Sequence, residues 1–271
     1  MIRRLTAAAA LMLATSAAFA GPAIEAANNQ VRASAVHQKF DYYEIDSYGA
    51  TGTNVLDSER GNQNGGAISI SLQGDVGALR SVYFNAEVTR LTGDTDYDGY
   101  LQGGDVLVPY QTTTKYKTTD FQVKLGKGFA IDSFTQVTPY VSFGSYKWLR
   151  DSSADEFGYA ERYKHQFAGV GALVQYEVTP RIVVKGDYMY GRTNSASMTL
   201  VADDTKFDLS SKSVQQLALG VDYAATKNIH VHADYRVSKF AYGESAAIGG
   251  TLEPSSKTKR DQVTVGVGYS F

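Results

Sequence analysis

Cysteine is absent from this 271-residue chain, which excludes a disulfide framework as the source of its stability. Proline is scarce, with five residues. Beyond residue 20, no apolar run approaches the ~20 residues that a membrane-spanning helix needs. Charge of one sign is also missing: a formal net charge of -2 argues against nucleic acid as a partner. In place of these features the chain has nineteen tyrosines and 26 glycines, a profile that suits strands with aromatic girdles better than a soluble α/β enzyme.

The amino terminus carries an export pattern. Met1-Ile2-Arg3-Arg4 is a short basic region, and the stretch from Leu5 to Ala18 is apolar or small. Ala18-Phe19-Ala20 then presents small residues around a cleavage point, so processing is expected between Ala20 and Gly21. The apolar stretch is too short to remain as a helical anchor. Residues 21–271 are read as a single domain.

The clearest periodicity is at the carboxyl end. Val263, Val265, Val267, Tyr269 and Phe271 alternate with Gln262, Thr264, Gly266, Gly268 and Ser270. Strict period-two alternation means that one face meets an apolar medium and the other a polar one. Here the bulky set is apolar and the polar set is small, as in a narrow barrel that faces lipid outside. The pattern recurs in seven upstream segments. Leu217, Leu219, Val221 and Tyr223 oppose Gln216, Gly220 and Asp222, and Ile229, Val231 and Tyr235 oppose His230, His232, Asp234 and Arg236. The other five are centred on Val184, Val174, Val123, Phe84 and Ile70. Segments 31–44 and 134–148 are strand-like, but the assignment of their faces is ambiguous.

The reading is therefore all-β: an antiparallel up-and-down transmembrane barrel of about ten strands, with eight or twelve as alternatives. Connections near residues 74–80, 130–133, 179–180 and 224–228 are short. Those near 45–63, 93–113, 149–163, 194–212 and 241–258 are long and polar. Short periplasmic turns opposite long extracellular loops are the membrane-barrel layout, and closure is what lets strands survive in lipid.

Val137-Thr138-Pro139-Tyr140-Val141 and Val265-Gly266-Val267-Gly268-Tyr269-Ser270-Phe271 resemble segments of small Gram-negative outer-membrane barrels of the opacity and adhesin type. The resemblance implies a location in the bacterial outer membrane and insertion by the barrel-assembly machinery, with Tyr269 and Phe271 as the recognition signal. Ten strands also resemble the omptin proteases, which set an Asp–Asp pair against an Asp–His pair across the extracellular rim. Asp94 and Asp96 match the first pair, but the loop that holds Asp203 and Asp204 lacks a histidine. A water-activating base must titrate near neutrality within reach of its water, so protease activity is not expected.

One motif points to metal. Asp94, Asp96, Asp98 and Asp105, with Gly99 and the Tyr100 carbonyl, follow the spacing of a twelve-residue calcium loop. Its last position holds a short Asp105 where a bidentate Glu is usual, so modest affinity is expected; the bland alternative is an acidic turn-rich loop. No other cofactor is required. Glu87, Lys124, Glu177, Lys185, Asp187, Asp222, His230, His232, Asp234 and Arg236 fall on polar faces and are expected to line and fill the lumen. Arg60, Lys115, Lys117, Arg150, Arg162, Lys164, Arg192, Lys212, Lys257, Lys259 and Arg260 cluster where strands become loops. That is the level of lipopolysaccharide phosphates and outer-leaflet lipid. Tyr42, Tyr190, Tyr235 and Tyr269 suit interfacial belts. The expected role is non-enzymatic: envelope structure or recognition of a surface ligand through the extracellular loops. The rivals are a narrow solute channel and an omptin-like hydrolase.

Overall fold

The computed structural model describes residues 21–101 and 106–271; the export segment and Ala20 lie outside them, as does Asp105. One short helix, α1 (Pro22–Asn28), precedes twelve strands. These are β1 (Gln30–Ile45), β2 (Val55–Val76), β3 (Leu79–Leu101), β4 (Val108–Lys127), β5 (Phe129–Ala130), β6 (Thr135–Asp151), β7 (Ala160–Thr179), β8 (Ile182–Leu200), β9 (Lys206–Ser210), β10 (Ser213–Ala224), β11 (Ile229–Ser245) and β12 (Ser256–Ser270).

Ten of them form a closed antiparallel wall. Each long strand pairs with its neighbours in sequence, β1 pairs with β12, and β8 pairs with β10 past the short β9. The remaining two are accessories: β5 is a two-residue pairing on β6, and β9 joins the upper ends of β8 and β11. The ten-strand expectation therefore holds for the wall, and closure removes the free edges that an open sheet would expose.

The outer face explains the medium. Val265, Val267, Leu219, Phe143 and Val170 all point outward, with 51%, 56%, 59%, 58% and 62% of their surface exposed. A contiguous apolar band of this extent is a liability in water and the required surface in lipid. Tyr176, Tyr223 and Tyr269 edge it on the periplasmic side, and Tyr190 and Tyr235 on the other.

The strands are longer than a membrane crossing requires. A tilted crossing uses about 9–11 residues, whereas β2, β3, β4 and β7 have 22, 23, 20 and 20. The spanning portion is the periplasmic half, for example residues 182–190 of β8 and 262–270 of β12. Above it the exposed outer positions become charged, at Lys117, Lys147, Lys164, Arg192, Lys239 and Lys259. The wall thus projects beyond the outer leaflet.

Several expectations change accordingly. Among the described residues the long loops shrink to 46–54, 106–107, 152–159, 201–205 and 246–255, because much of what reads as loop is wall. A strand that stands in water has polar groups on its outer face as well, so the apolar half of the alternation disappears. Tyr42, expected in a belt, is interior and 1% exposed. Arg150 and Arg260, expected at the lipid-facing rim, also point inward, at 6% and 7% exposure.

Candidate functional site

The barrel interior is layered, with a cavity of about 340 Å³ beside α1 at the periplasmic end and a larger one at the extracellular end. At the periplasmic end α1 folds into the opening. Pro22 starts the helix with its φ already suited to a first turn. Ile24, fully buried, packs with Ala23 and Ala27 against Val183. The helix is fastened by polar contacts: the Ala23 N–H donates to Glu177 at 3.2 Å, and the Asn28 amide donates to Gln73 and Gln175 at 2.6 and 2.8 Å.

The next layer, at membrane level, is a set of matched charges. Arg32 meets Asp222 at 3.1 Å, Lys185 meets Asp234 at 2.7 Å, Arg236 meets Glu87 at 2.8 Å, and Lys124 meets Asp187. His230 bonds Asp222 and His232 bonds the Ser34 hydroxyl at 3.0 Å. All ten residues assigned to the lumen from the alternation are brought inside, nine in this layer and Glu177 against α1. The two histidines do not converge on a common point: each has its own partner. Free space in this layer amounts to about 80 Å³.

Above the charges lies an aromatic layer around Trp148, which is fully buried. It stacks on Tyr163 with ring centroids 4.5 Å apart and touches Tyr116, Tyr42 and Phe40 at 4.9, 5.1 and 5.3 Å. His165 belongs here, bonded to the Tyr242 hydroxyl at 2.8 Å and set against Phe240. Below the mouth, the interior is filled.

The mouth itself is a cavity of about 630 Å³ on the extracellular side. Its floor and walls carry Glu44, Asp57, Glu161 and Glu253, with Arg150 as the one lining cation among the described residues. Arg150 is held by Glu161 at 2.5 Å and by Glu59, which also accepts from the Tyr116 hydroxyl. The other carboxylates have neutral donors at most. Tyr42 donates to Glu44 at 2.7 Å and Tyr163 to Glu253 at 2.6 Å, while Asp57 Oδ1 has no hydrogen-bond partner. Asp57 is 4% exposed.

Electrostatics follow from this imbalance. These groups stand above the membrane-spanning portions of their strands. Burial pushes the Glu44 carboxyl up to about 7, with Arg150 and the Tyr42 hydroxyl limiting the rise. Burial and the neighbouring charge of Glu44 raise Asp57 well above the usual carboxylate range. Burial, Glu44 and Glu161 do the same to Glu253. Desolvation disfavours the charged form of each, and like charges compound it.

The calcium-loop residues are elsewhere. Asp94, Asp96 and Asp98 lie in β3, exposed on the outer face, with β2 and β4 paired on either side. Alternate positions over this stretch span about 13 Å along a strand, which is too far for three carboxylates to wrap one ion. The loop reading is corrected to strand for these positions. Among the described residues, no group of three His, Asp or Glu side chains is placed to hold a metal ion. Asp94 and Asp96 therefore do not face the interior, and of the second pair Asp203 borders the mouth. The histidines lie in the aromatic layer, in the charge layer and, for His37, on the outer wall beside Asn64. Tyr269 and Phe271 are outward and exposed, and the Phe271 N–H donates to the Asn29 carbonyl.

Sequence reasoning missed the mouth. The signal that could have found most of it is parity. Asp57 and Glu59 continue the inward set of Gln63, Ala67 and Ser71, and Arg150 continues that of Ser142, Tyr146 and Trp148. Glu253 sits in a connection and carries no such signal.

No family model and no curated protein sequence matches the chain. Solved structures do. The Escherichia coli outer-membrane protease OmpT is similar with a TM-score of 0.57 and 12% identity, over 90% of this chain and 97% of that one. The transport unit of the E. coli autotransporter AIDA-I gives 0.45 at 10% identity over 89% and 90%. The translocator domain of the Neisseria meningitidis autotransporter NalP gives 0.42 at 14% over 90% and 89%. At such identities the likeness to OmpT concerns the fold: that of a Gram-negative outer-membrane β-barrel. With the apolar outer band, it places the chain in the bacterial outer membrane.

Proposed function

We propose that this outer-membrane barrel is non-enzymatic and acts at the cell surface, engaging a ligand at its extracellular mouth. The observation that carries this reading is the filled interior beneath an open cavity. The mouth leads down to an aromatic layer, then to paired charges, then to α1, so a ligand that enters meets a floor. Barrels of about this strand number have interiors that side chains can fill, whereas diffusion pores need many more strands. The solute-channel alternative lacks such support. The omptin-like alternative needs an Asp–His pair at the extracellular rim, and the histidines sit in other layers or on the outer wall.

The exposed basic residues support anchoring to lipopolysaccharide phosphates and outer-leaflet lipid. Arg60, Lys115, Lys117, Arg162, Lys164, Arg192, Lys212, Lys257 and Lys259 remain on the exterior. Insertion through the barrel-assembly machinery, read from Tyr269 and Phe271, completes the proposed partners. The test is single-channel recording in a planar bilayer. A sealed barrel gives no steady current; a stable small conductance would transfer the assignment to transport.

A further inference from the structure

We infer that the ligand of the extracellular mouth is an organic cation, an ammonium or guanidinium group on an apolar body. This rests on the reading of the mouth as a binding site and names what it takes. The first ground is charge. Arg150 is shared by Glu59 and Glu161, which leaves Glu44, Asp57 and Glu253 with no cation among the described residues that line the cavity. Without a paired counter-charge such buried carboxyls are driven toward the neutral form, and a cation that enters restores the charged one.

The second ground is an empty valence. Asp57 is almost wholly buried and borders the cavity; its side chain lies against the Glu44 carboxyl, and no basic or amide donor among the described residues reaches its Oδ1. Tyrosine hydroxyls already serve Glu44 and Glu253, so each has lone pairs to spare. An ammonium brings three donors and a positive charge, which are the two things this corner lacks.

The third ground separates an organic cation from a metal ion. The same cavity is walled by Tyr97, Tyr110, Phe157, Met198 and Phe207. Aromatic faces attract cations, and apolar walls accommodate a hydrocarbon body. A volume of about 630 Å³ holds far more than a hydrated ion would need. The carboxylates do not converge closely enough to act as metal ligands.

Trp148, the one tryptophan, reports on the site because it stacks on Tyr163, whose hydroxyl bonds Glu253. The experiment titrates the full barrel in detergent micelles with 2-phenylethylamine, with its neutral counterpart 2-phenylethanol, and with calcium chloride. Binding is followed by Trp148 fluorescence and by calorimetry. The amine is expected to bind at least tenfold more tightly than the alcohol. Asp57→Asn should weaken the amine at least fivefold, and Asp94→Asn on the outer wall should leave it unchanged. Heat-modifiable migration on gels verifies that each variant is folded; if Asp57→Asn does not fold, Glu253→Gln takes its place with the same expectation. Equal binding of amine and alcohol, or an unchanged Asp57→Asn, would overturn the inference. So would calcium that displaces the amine at tenfold lower concentration and loses its grip in Asp57→Asn. A steady conductance removes instead the surface-binding reading beneath it, whatever the titration gives. A sealed barrel that ignores the amine costs only the ligand class.

Discussion

The membrane-level lumen and the extracellular mouth are built on the same ten strands and differ in the matching of charge and in the space left open. In the lumen, Arg32, Lys124, Lys185 and Arg236 each have a carboxylate partner, and the space between them is nearly gone. In the mouth, Glu44, Asp57, Glu59, Glu161 and Glu253 gather around a single Arg150, and the space is open. The first is a plug whose charges are paired, with His230 Nε2 and His232 Nδ1 the ring atoms left without a partner among the described residues. The second is unfinished without something from outside. A buried network that is fully satisfied contributes rigidity, whereas one that is partly satisfied marks a place of function or strain.

The sharpest way to break this contrast is to remove one cation from each layer. Arg150→Met leaves five carboxylates with no positive charge, and breaking a buried pair in this manner costs about 3–5 kcal/mol. Lys124→Met is expected to cost less, about 2 kcal/mol, because Asp187 still accepts from the Tyr140 hydroxyl. Replacing both members, Lys124→Met with Asp187→Leu, should recover most of that loss, since a buried pair can often be exchanged for apolar packing. Urea unfolding in lipid vesicles, followed by Trp148 fluorescence, measures all three. An Arg150→Met cost no larger than that of Lys124→Met would erase the distinction between plug and mouth.

The pH response should also belong to the mouth. A carboxyl raised on folding gives stability that is present at low pH and lost as pH climbs through the folded value. For Glu44 that window runs from its ordinary 4.5 to about 7. Asp57 and Glu253 are raised as well and extend the same trend upward. Stability is therefore expected to fall between pH 5 and pH 7.5, by roughly 2 kcal/mol or more. Glu44→Gln should flatten the decline. A barrel whose urea midpoint rises across this range would contradict the sign, and an unaltered slope in Glu44→Gln would move the titration to another residue.

These two layers were not equally legible. The lumen could be read because the lipid keeps the outer face apolar, so a residue such as Asp222 between Val221 and Tyr223 stands out as inward. Above the membrane that contrast disappears: Arg60, Asn62 and Asn64 are outward and Glu59 and Gln63 inward, yet all are polar. The chain there has the composition of a loop, which is why the acidic segment near Asp94 reads as one in sequence. Only the parity carried up from the spanning portion tells the faces apart. The plug helix α1 was illegible for a different reason. Seven residues are too few to show a helical period, and Ile24 is ordered by Val183 and its neighbours in the fold and not by local propensity.

Plugging can be perturbed at α1 with a smaller effect. Ile24→Asp places a carboxylate against Val183 at the periplasmic end, where it should free the helix from the opening. Brief, small current steps are then expected in a planar bilayer, while the charge and aromatic layers above continue to prevent a steady conductance. A lasting open state in this variant would mean that α1 alone seals the barrel and that the upper layers do not.

The weakest effect is expected on the outer wall, where the contrast between faces makes its last demand. Asp94→Asn with Asp98→Asn changes two carboxylates that are exposed and spaced along β3. Surface substitutions of this kind usually stay within about 0.5 kcal/mol. Because the three aspartates of that stretch extend along the strand, millimolar calcium should raise the melting temperature of wild type and variant equally. Calorimetric heat on calcium addition that the variant lacks would show that β3 rearranges near its extracellular end to gather these oxygens. The acidity of the outer wall would then have a role of its own, and the mouth would no longer be the one surface where carboxylates await a cation.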